Sequence, residues 1–454
     1  MRLILFGTMI LVSFSFMACG GSGGNSAPPP PPSTNNQWTW VGGANSVDQA
    51  GTYGTLGTPS ASNVPGARLG AISWKDRSGN FWLFGGTSQG DLQNDLWKYS
   101  AGEWTWMSGS NAGNQAGSYG TLGAPDPNNV PGARTQGVSW IDGSGNLWLF
   151  GGYGYDSTGS YGLLNDFWEY SAGQWTWMGG SNLWGQAGTY GTQGTPAPDN
   201  VPGARGNAVT WTDAAGSLWL MGGSGNGATS EGYLNDLWKY SAGEWTWIGG
   251  ATGGDPPATY GSRGVPAPGN IPGGRYGAVG WLDASGNVWL FGGYGWDATN
   301  TSGFLNDLWR YSGGEWAWMS GSELVNQPGS YGTEGVASAS NVPGARDYGA
   351  VWTDASGNLW LFGGEYLDGA TDHLFNDLWK YSAGEWTWVN GASTFDQRGR
   401  YGTQGESSST NVPGARELSG RWIDASGNLW LFGGGGYDSN GNPGRLNDLW
   451  RYKP

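Results

Sequence analysis

The chain writes one pattern of about 70 residues six times: V-P-G-A-R, W-x-D-x-x-G-N-x-W-L-F-G-G, a variable stretch, N-D-L-W-x-Y and a closing W-T-W, with small variations. The arginines that open the copies are Arg68, Arg134, Arg205, Arg275, Arg346 and Arg416. A period this long without helical spacing predicts a propeller or a solenoid. One small twisted sheet cannot bury both of its faces alone, so neighbouring copies must stack.

Glycine and proline, 89 and 23 of 454 residues, would ordinarily suggest disorder. Here the glycines recur at fixed offsets beside tryptophans and read as turns between strands. The 20 basic residues stand against 35 acidic ones, a net charge of −15, which argues against a nucleic-acid partner because phosphate binding needs clustered cations.

Outside the repeats, Arg2 and the apolar run Leu3 to Phe16 predict an export signal over residues 1–18 that is too short to span a membrane. Cys19 is the sole cysteine, so a disulfide within the chain is excluded. Residues 19–36, with five consecutive prolines at Pro28 to Pro32, read as an extended tether, and residues 37–454 as the repeat domain. Phe-Met-Ala-Cys resembles a bacterial lipobox, and that resemblance implies cleavage before Cys19 and a diacylglycerol anchor on its sulfur. An ordinary secretory peptide with an incidental cysteine is the competing reading. Gly20 stands where the lipoprotein class often carries an inner-membrane retention aspartate, so the resemblance implies the outer membrane.

Within a copy, the small apolar stretch Gly70 to Trp74 suits a buried inner strand. The Asp76 turn leads into a second strand, Phe81 to Phe84. Asp95 to Tyr99 and Trp104 to Trp106 supply the third and fourth. These motifs resemble the kelch repeat family, whose double glycine falls on Gly85-Gly86, Gly151-Gly152, Gly222-Gly223, Gly292-Gly293, Gly363-Gly364 and Gly433-Gly434. The resemblance implies an all-β fold, a six-bladed β-propeller of four-stranded antiparallel blades. The sixth copy stops at Pro454 without a W-T-W, whereas Trp38-Thr39-Trp40 precedes the first arginine at the usual spacing. The N-terminal strand is therefore expected to complete the last blade.

From arginine to double glycine is 17 residues in every copy. Nearly all length variation falls between the double glycine and N-D, with 7, 12, 11, 12, 11 and 12 residues. This loop shares a face with the long connections between copies, and function is carried disproportionately on such loops. Five repeated positions hold 30 of the 32 tryptophans and read as scaffold, leaving Trp184 and Trp296 off-pattern in the long loops. Trp296 aligns with Tyr155 and Tyr437, and Asp297 follows it. An aromatic ring beside a carboxylate suits a sugar, and a loop folding on its own aromatic residue is the alternative.

The repeated arginines either line a mouth for anions or pair with carboxylates, and repetition favours pairing. The residues after each arginine are not repeated, and polarity gathers in copies four to six with Tyr276, Asp347, Tyr348 and Glu417. Glu365, Asp368, Asp372 and His373 enrich the same side, where a pocket is expected. Asp347 and Glu417 are candidates for an acid and base pair, although solvated or arginine-paired carboxylates are commoner. His373, the sole histidine, reads as a surface residue.

Kelch resemblance also raises galactose oxidase, but its two histidine ligands and tyrosine–cysteine crosslink cannot be assembled from one histidine and one N-terminal cysteine. The Asp283 turn resembles the Asp-box of sialidases with one residue too many. No cofactor is expected. Calcium is the alternative, at Asp438 to Asn442 or Asp368 to Asp372, yet neither loop has the downstream glutamate of an EF-hand. The leading expectation is a monomeric, lipid-anchored, cell-envelope binding or scaffolding protein that recognises a glycan or a protein through its long-loop face without catalysis. A carbohydrate-active enzyme, a hydrolase, epimerase or lyase, is the second.

Overall fold

The computed structural model describes residues 35–369 and 371–454. The export signal, Cys19 and the tether up to residue 34 lie outside the described residues. No helix occurs among the described residues, and the domain is all-β, built of antiparallel sheets in a propeller-like arrangement.

Each copy folds as a four-stranded meander. In the first, Ile72–Lys75, Phe81–Phe84, Leu96–Ser100 and Glu103–Ser108 pair in sequence order. Asp76 sets the first turn: its carboxylate accepts the Asn80 backbone N–H at 2.9 Å and the Trp82 indole N–H at 2.9 Å. The same indole contact recurs at Asp142, Asp213, Asp283, Asp354 and Asp424. A short polar turn thus also satisfies the one polar group of a buried tryptophan.

In the sixth copy the fourth strand comes from the other end of the domain. Gln37–Gly42 lies antiparallel to Pro443–Lys453, with Trp38 opposite Tyr452 and Trp40 opposite Trp450. The hydrophobic clusters lie between consecutive sheets. One joins Ile72, Trp74 and Phe84 of the first copy to Leu149 and Trp168 of the second, and another joins Leu83 and Trp97 of the first to Trp422 and Phe432 of the sixth. An asparagine clip reinforces each junction: Asn94 donates to the Pro131 carbonyl at 3.3 Å, and Asn447 to the Pro65 carbonyl at 3.3 Å.

The double glycine admits the next copy's backbone. Gly85 and Gly86 have φ of 66° and 92°, and a Cβ on Gly85 would stand 2.6 Å from the Arg134 carbonyl oxygen. Without side chains, Gly86 N–H reaches that oxygen at 2.8 Å. Gly434 makes the same bond to Arg68 at 2.9 Å, joining the last copy to the first.

The second residue after each arginine forms a ring of six backbone hydrogen bonds around the axis. Gln136 donates to Gly70, Asn207 to Gln136, Gly277 to Asn207, Tyr348 to Gly277, Leu418 to Tyr348 and Gly70 to Leu418, at 2.9 to 3.2 Å. All six residues are left-handed, with φ between 51° and 66°. Tyr348 and Leu418 are bulky for that region, and the ring holds them there.

Candidate functional site

The arginines do not line a mouth. Arg68 is 1% exposed, donates through Nη1 and Nη2 to Asp95 at 2.7 and 2.8 Å, and uses Nε and Nη1 for the Gly66 and Gly85 carbonyls. The hydroxyl of Tyr53 and the indole of Trp97 donate to the same Asp95 oxygen, each at 2.7 Å. Arg134, Arg205, Arg275, Arg346 and Arg416 pair identically with Asp166, Asp236, Asp307, Asp377 and Asp448. These guanidiniums are spent on the scaffold and unavailable to a ligand.

The residue immediately after each arginine faces the residue immediately after the double glycine. The pairs are Leu69 with Thr87, Thr135 with Tyr153, Gly206 with Ser224, Tyr276 with Tyr294, Asp347 with Glu365, and Glu417 with Gly435. Two non-repeating positions thus meet above the axial ring, on the side of the long loops. From there, Thr135, Tyr153, Tyr161, Ser224, Tyr233 and Tyr276 surround a cavity of about 380 Å³. Its floor is Gln136, Asn207 and Tyr348, where the Asn207 amide donates to the Gln136 side chain and to the Tyr348 hydroxyl, both at 3.1 Å.

The tyrosines form a wall. Tyr276 stacks on Tyr294 with ring centres 5.5 Å apart and lies 5.0 Å from Tyr233 and 5.9 Å from Tyr348. Behind Tyr276 and Tyr348 sit three carboxyls. Asp347 is 2% exposed and its Oδ1 has no hydrogen-bond partner. Burial, then the charges of Glu365 and Glu417, push its carboxyl well above the ordinary range. Burial, then the charge of Glu365, raises Glu417 likewise, and burial raises Glu365 as well.

The structure therefore brings Tyr276, Asp347, Tyr348 and Glu417 together, with Glu365. It does not gather the other candidates. Tyr155 packs on Tyr161 at 5.7 Å, Trp296 donates to Asp255 at 2.8 Å, and Tyr437 bonds Asp396, each in a different copy and outside the cavity lining. Trp184 is 50% exposed, its ring lying over Gly162. Asp297 is 1% exposed and accepts the N–H groups of Thr299, Thr301 and Val325, which fixes its loop. His373 bonds Asp396 at 2.8 Å and stacks on Phe395, while Asp368 and Asp372 are exposed. Asp438, proposed for calcium, accepts the Asn440 and Asn442 N–H groups. No cluster of three or more histidine, cysteine or acidic residues suited to a metal occurs among the described residues.

The cavity opens over copies two to five rather than four to six. Sequence reasoning followed charge, whereas the cavity is drawn by Tyr153, Tyr161 and Tyr233, which the long loops of copies two and three supply. For Tyr153 the signal was its place as the unrepeated residue directly after the double glycine.

The carboxyl cluster predicts a pH signature. A carboxyl raised on folding stabilises the fold fully below its unfolded value, about 4.3 for glutamate, and this contribution is lost as pH rises through the folded value. Glu417→Gln is therefore expected to raise the melting temperature at pH 8 and to leave it nearly unchanged at pH 4. An unchanged melting temperature at both would contradict the charge crowding.

No protein-family profile and no curated protein matches the chain. Among solved structures it is similar to one titled "Structure of YjhT", with a TM-score of 0.50 and 13% identity over 87% of this chain and 95% of that one. At that identity the likeness bears on the fold alone, and it places the chain beside another protein of the same general architecture.

Proposed function

We propose that this is a six-bladed kelch-type propeller, closed by its N-terminal strand, that binds a glycan in the cup above the axial ring. The cyclic hydrogen bonds and the pairing of the two chain ends support the closed form. The observation that carries the ligand class is the cup itself: tyrosine faces on its wall, with hydroxyl and amide groups of Ser224, Thr135, Asn207 and Gln136 around its floor. Such faces stack on the C–H surfaces of a sugar while the polar groups exchange hydrogen bonds with its hydroxyls. Export and a lipid on Cys19 would place the cup in the cell envelope, facing envelope polysaccharide or glycoprotein.

A glycan array probed with the chain from residue 35 onward tests this reading. Tyr276→Ala is expected to weaken the best-bound glycan by about tenfold, equivalent to 1.4 kcal/mol. An affinity unaffected by that change, with the fold intact, would remove the cup as the site.

A second reading rests on the carboxyl trio. A general acid needs a carboxyl whose protonated form is favoured, and burial together with neighbouring carboxylates shifts Asp347, Glu365 and Glu417 in that direction. On this reading the protein is a carbohydrate-active enzyme. Turnover of a bound glycan that disappears in Glu417→Gln while binding persists would establish it; binding without turnover in the parent protein leaves the cup a recognition site.

A further inference from the structure

The axial ring has a second side. Below it, toward the tight turns, the inner strands enclose a cavity of about 220 Å³. The position five residues after each arginine is Ser73, Ser139, Thr210, Gly280, Val351 and Arg421. Five are small or medium-sized and neutral; the sixth is a long cation. Arg421 is the only charged side chain lining this cavity among the described residues.

Its chemistry is unlike that of the six scaffold arginines. Each of those is buried against an aspartate, whereas the Arg421 guanidinium makes no hydrogen bond or ion pair among the described residues. Desolvation by the neighbouring inner strands pulls its guanidinium below the ordinary arginine value, while the side chain is exposed to the water of the cavity. In a chain with 35 acidic residues, leaving this cation unpaired in an enclosed space leaves its N–H fork for something else.

The neighbouring hydroxyls specify more than charge. Ser139 donates to the Ser73 carbonyl at 3.2 Å and Thr210 to the Ser139 carbonyl at 3.0 Å. With their protons committed, these two oxygens offer lone pairs to a ligand's hydroxyls. Ser73 reaches the Arg421 carbonyl only at 3.5 Å, so its proton can turn to an anion beside the guanidinium. The cavity thus presents a two-pronged cation at one side and acceptors at the other.

We propose that this channel binds a small hydroxylated carboxylate, a sugar acid, with its carboxylate on Arg421 and its hydroxyls on Ser139 and Thr210. A planar guanidinium matches a carboxylate through two parallel N–H bonds. This site is separate from the cup, since the axial ring stands between them, and does not depend on what the cup binds.

Calorimetric titration with glucuronate, gluconate, acetate and inorganic phosphate tests the assignment, using the parent protein, Arg421→Ser and Tyr276→Ala. Serine already occupies the equivalent place in the first two copies, so Arg421→Ser suits the fold. The expected result is that glucuronate or gluconate binds the parent at least tenfold more tightly than acetate and phosphate. That binding is lost in Arg421→Ser and kept in Tyr276→Ala, since the Tyr276 side chain lines the cup and not this cavity. Absence of sugar-acid binding, or binding that survives Arg421→Ser, overturns the proposal. Arg421-dependent binding of phosphate or acetate as tight as the sugar acids overturns it as well, because the hydroxyl contacts would then count for nothing.

Discussion

Asp95→Asn is expected to destabilise the protein by about 3–5 kcal/mol in chemical denaturation, the range for removing one partner of a buried ion pair. Asp95 is 0% exposed and is the convergence point of four groups: two guanidinium nitrogens of Arg68, the Tyr53 hydroxyl and the Trp97 indole. Asparagine has nearly the same shape but presents an NH2 where one oxygen accepted protons. It therefore leaves a buried cation without its counter-charge and turns a donor toward other donors. Size cannot explain such a loss, so it isolates the electrostatic part of the network. A cost below 1 kcal/mol would show that the arginine finds compensation in the Gly66 and Gly85 carbonyls alone. The double variant Arg68→Met/Asp95→Leu should recover part of the loss, since apolar replacement of a whole buried pair is often neutral or better.

The second large effect concerns the join between the chain ends. A chain starting at Gly43 is expected to lose most of its cooperative unfolding transition, whereas one starting at Asn35 should melt like the full protein. The strand Gln37–Gly42 carries Trp38, which is 0% exposed and packs on Phe362, Trp450 and Tyr452 with ring centres 5.3, 6.4 and 5.1 Å away. Trp40 covers Tyr401 at 5.2 Å. Removing the strand bares Pro443–Lys453 along one edge and opens the cluster between the fifth and sixth copies. Loss of the Trp38 side chain alone belongs to the class of changes that cost about 3–5 kcal/mol. Closely similar melting curves for the two truncated chains would mean that the last sheet holds without its fourth strand.

Much of this architecture was legible from spacing. The constant 17 residues between arginine and double glycine reflects a physical contact, for Arg68 Nη1 donates to the Gly85 carbonyl at 2.9 Å. The Asp–x–x–Gly–Asn segments are tight hairpins because aspartate bonds the backbone four residues on. The missing W-T-W of the sixth copy pointed to Trp38, which lies opposite Tyr452. The site was less legible. Tyr276, Asp347, Tyr348 and Glu417 were recognisable because they break a repeated pattern near the axis. Tyr161 and Tyr233 were not, since they sit in loops whose alignment is obscured by length, whereas Tyr153 stands at a fixed place directly after Gly151-Gly152.

By itself, then, the sequence determined the repeating unit, its strand order and the places of its turns, because these depend on local backbone chemistry and on apolar faces that recur at fixed offsets. Only the tertiary structure decided which unrepeated side chains meet. Residues such as Asn207 and Tyr348, 141 positions apart, touch because the ring brings distant copies to one axis. The same ring decided that six arginines are buried and paired while a seventh, Arg421, is left facing an open channel. Repetition already favoured pairing for the six, but which carboxylate stands opposite each of them, and that none among the described residues stands opposite Arg421, depends on the direction a strand position points.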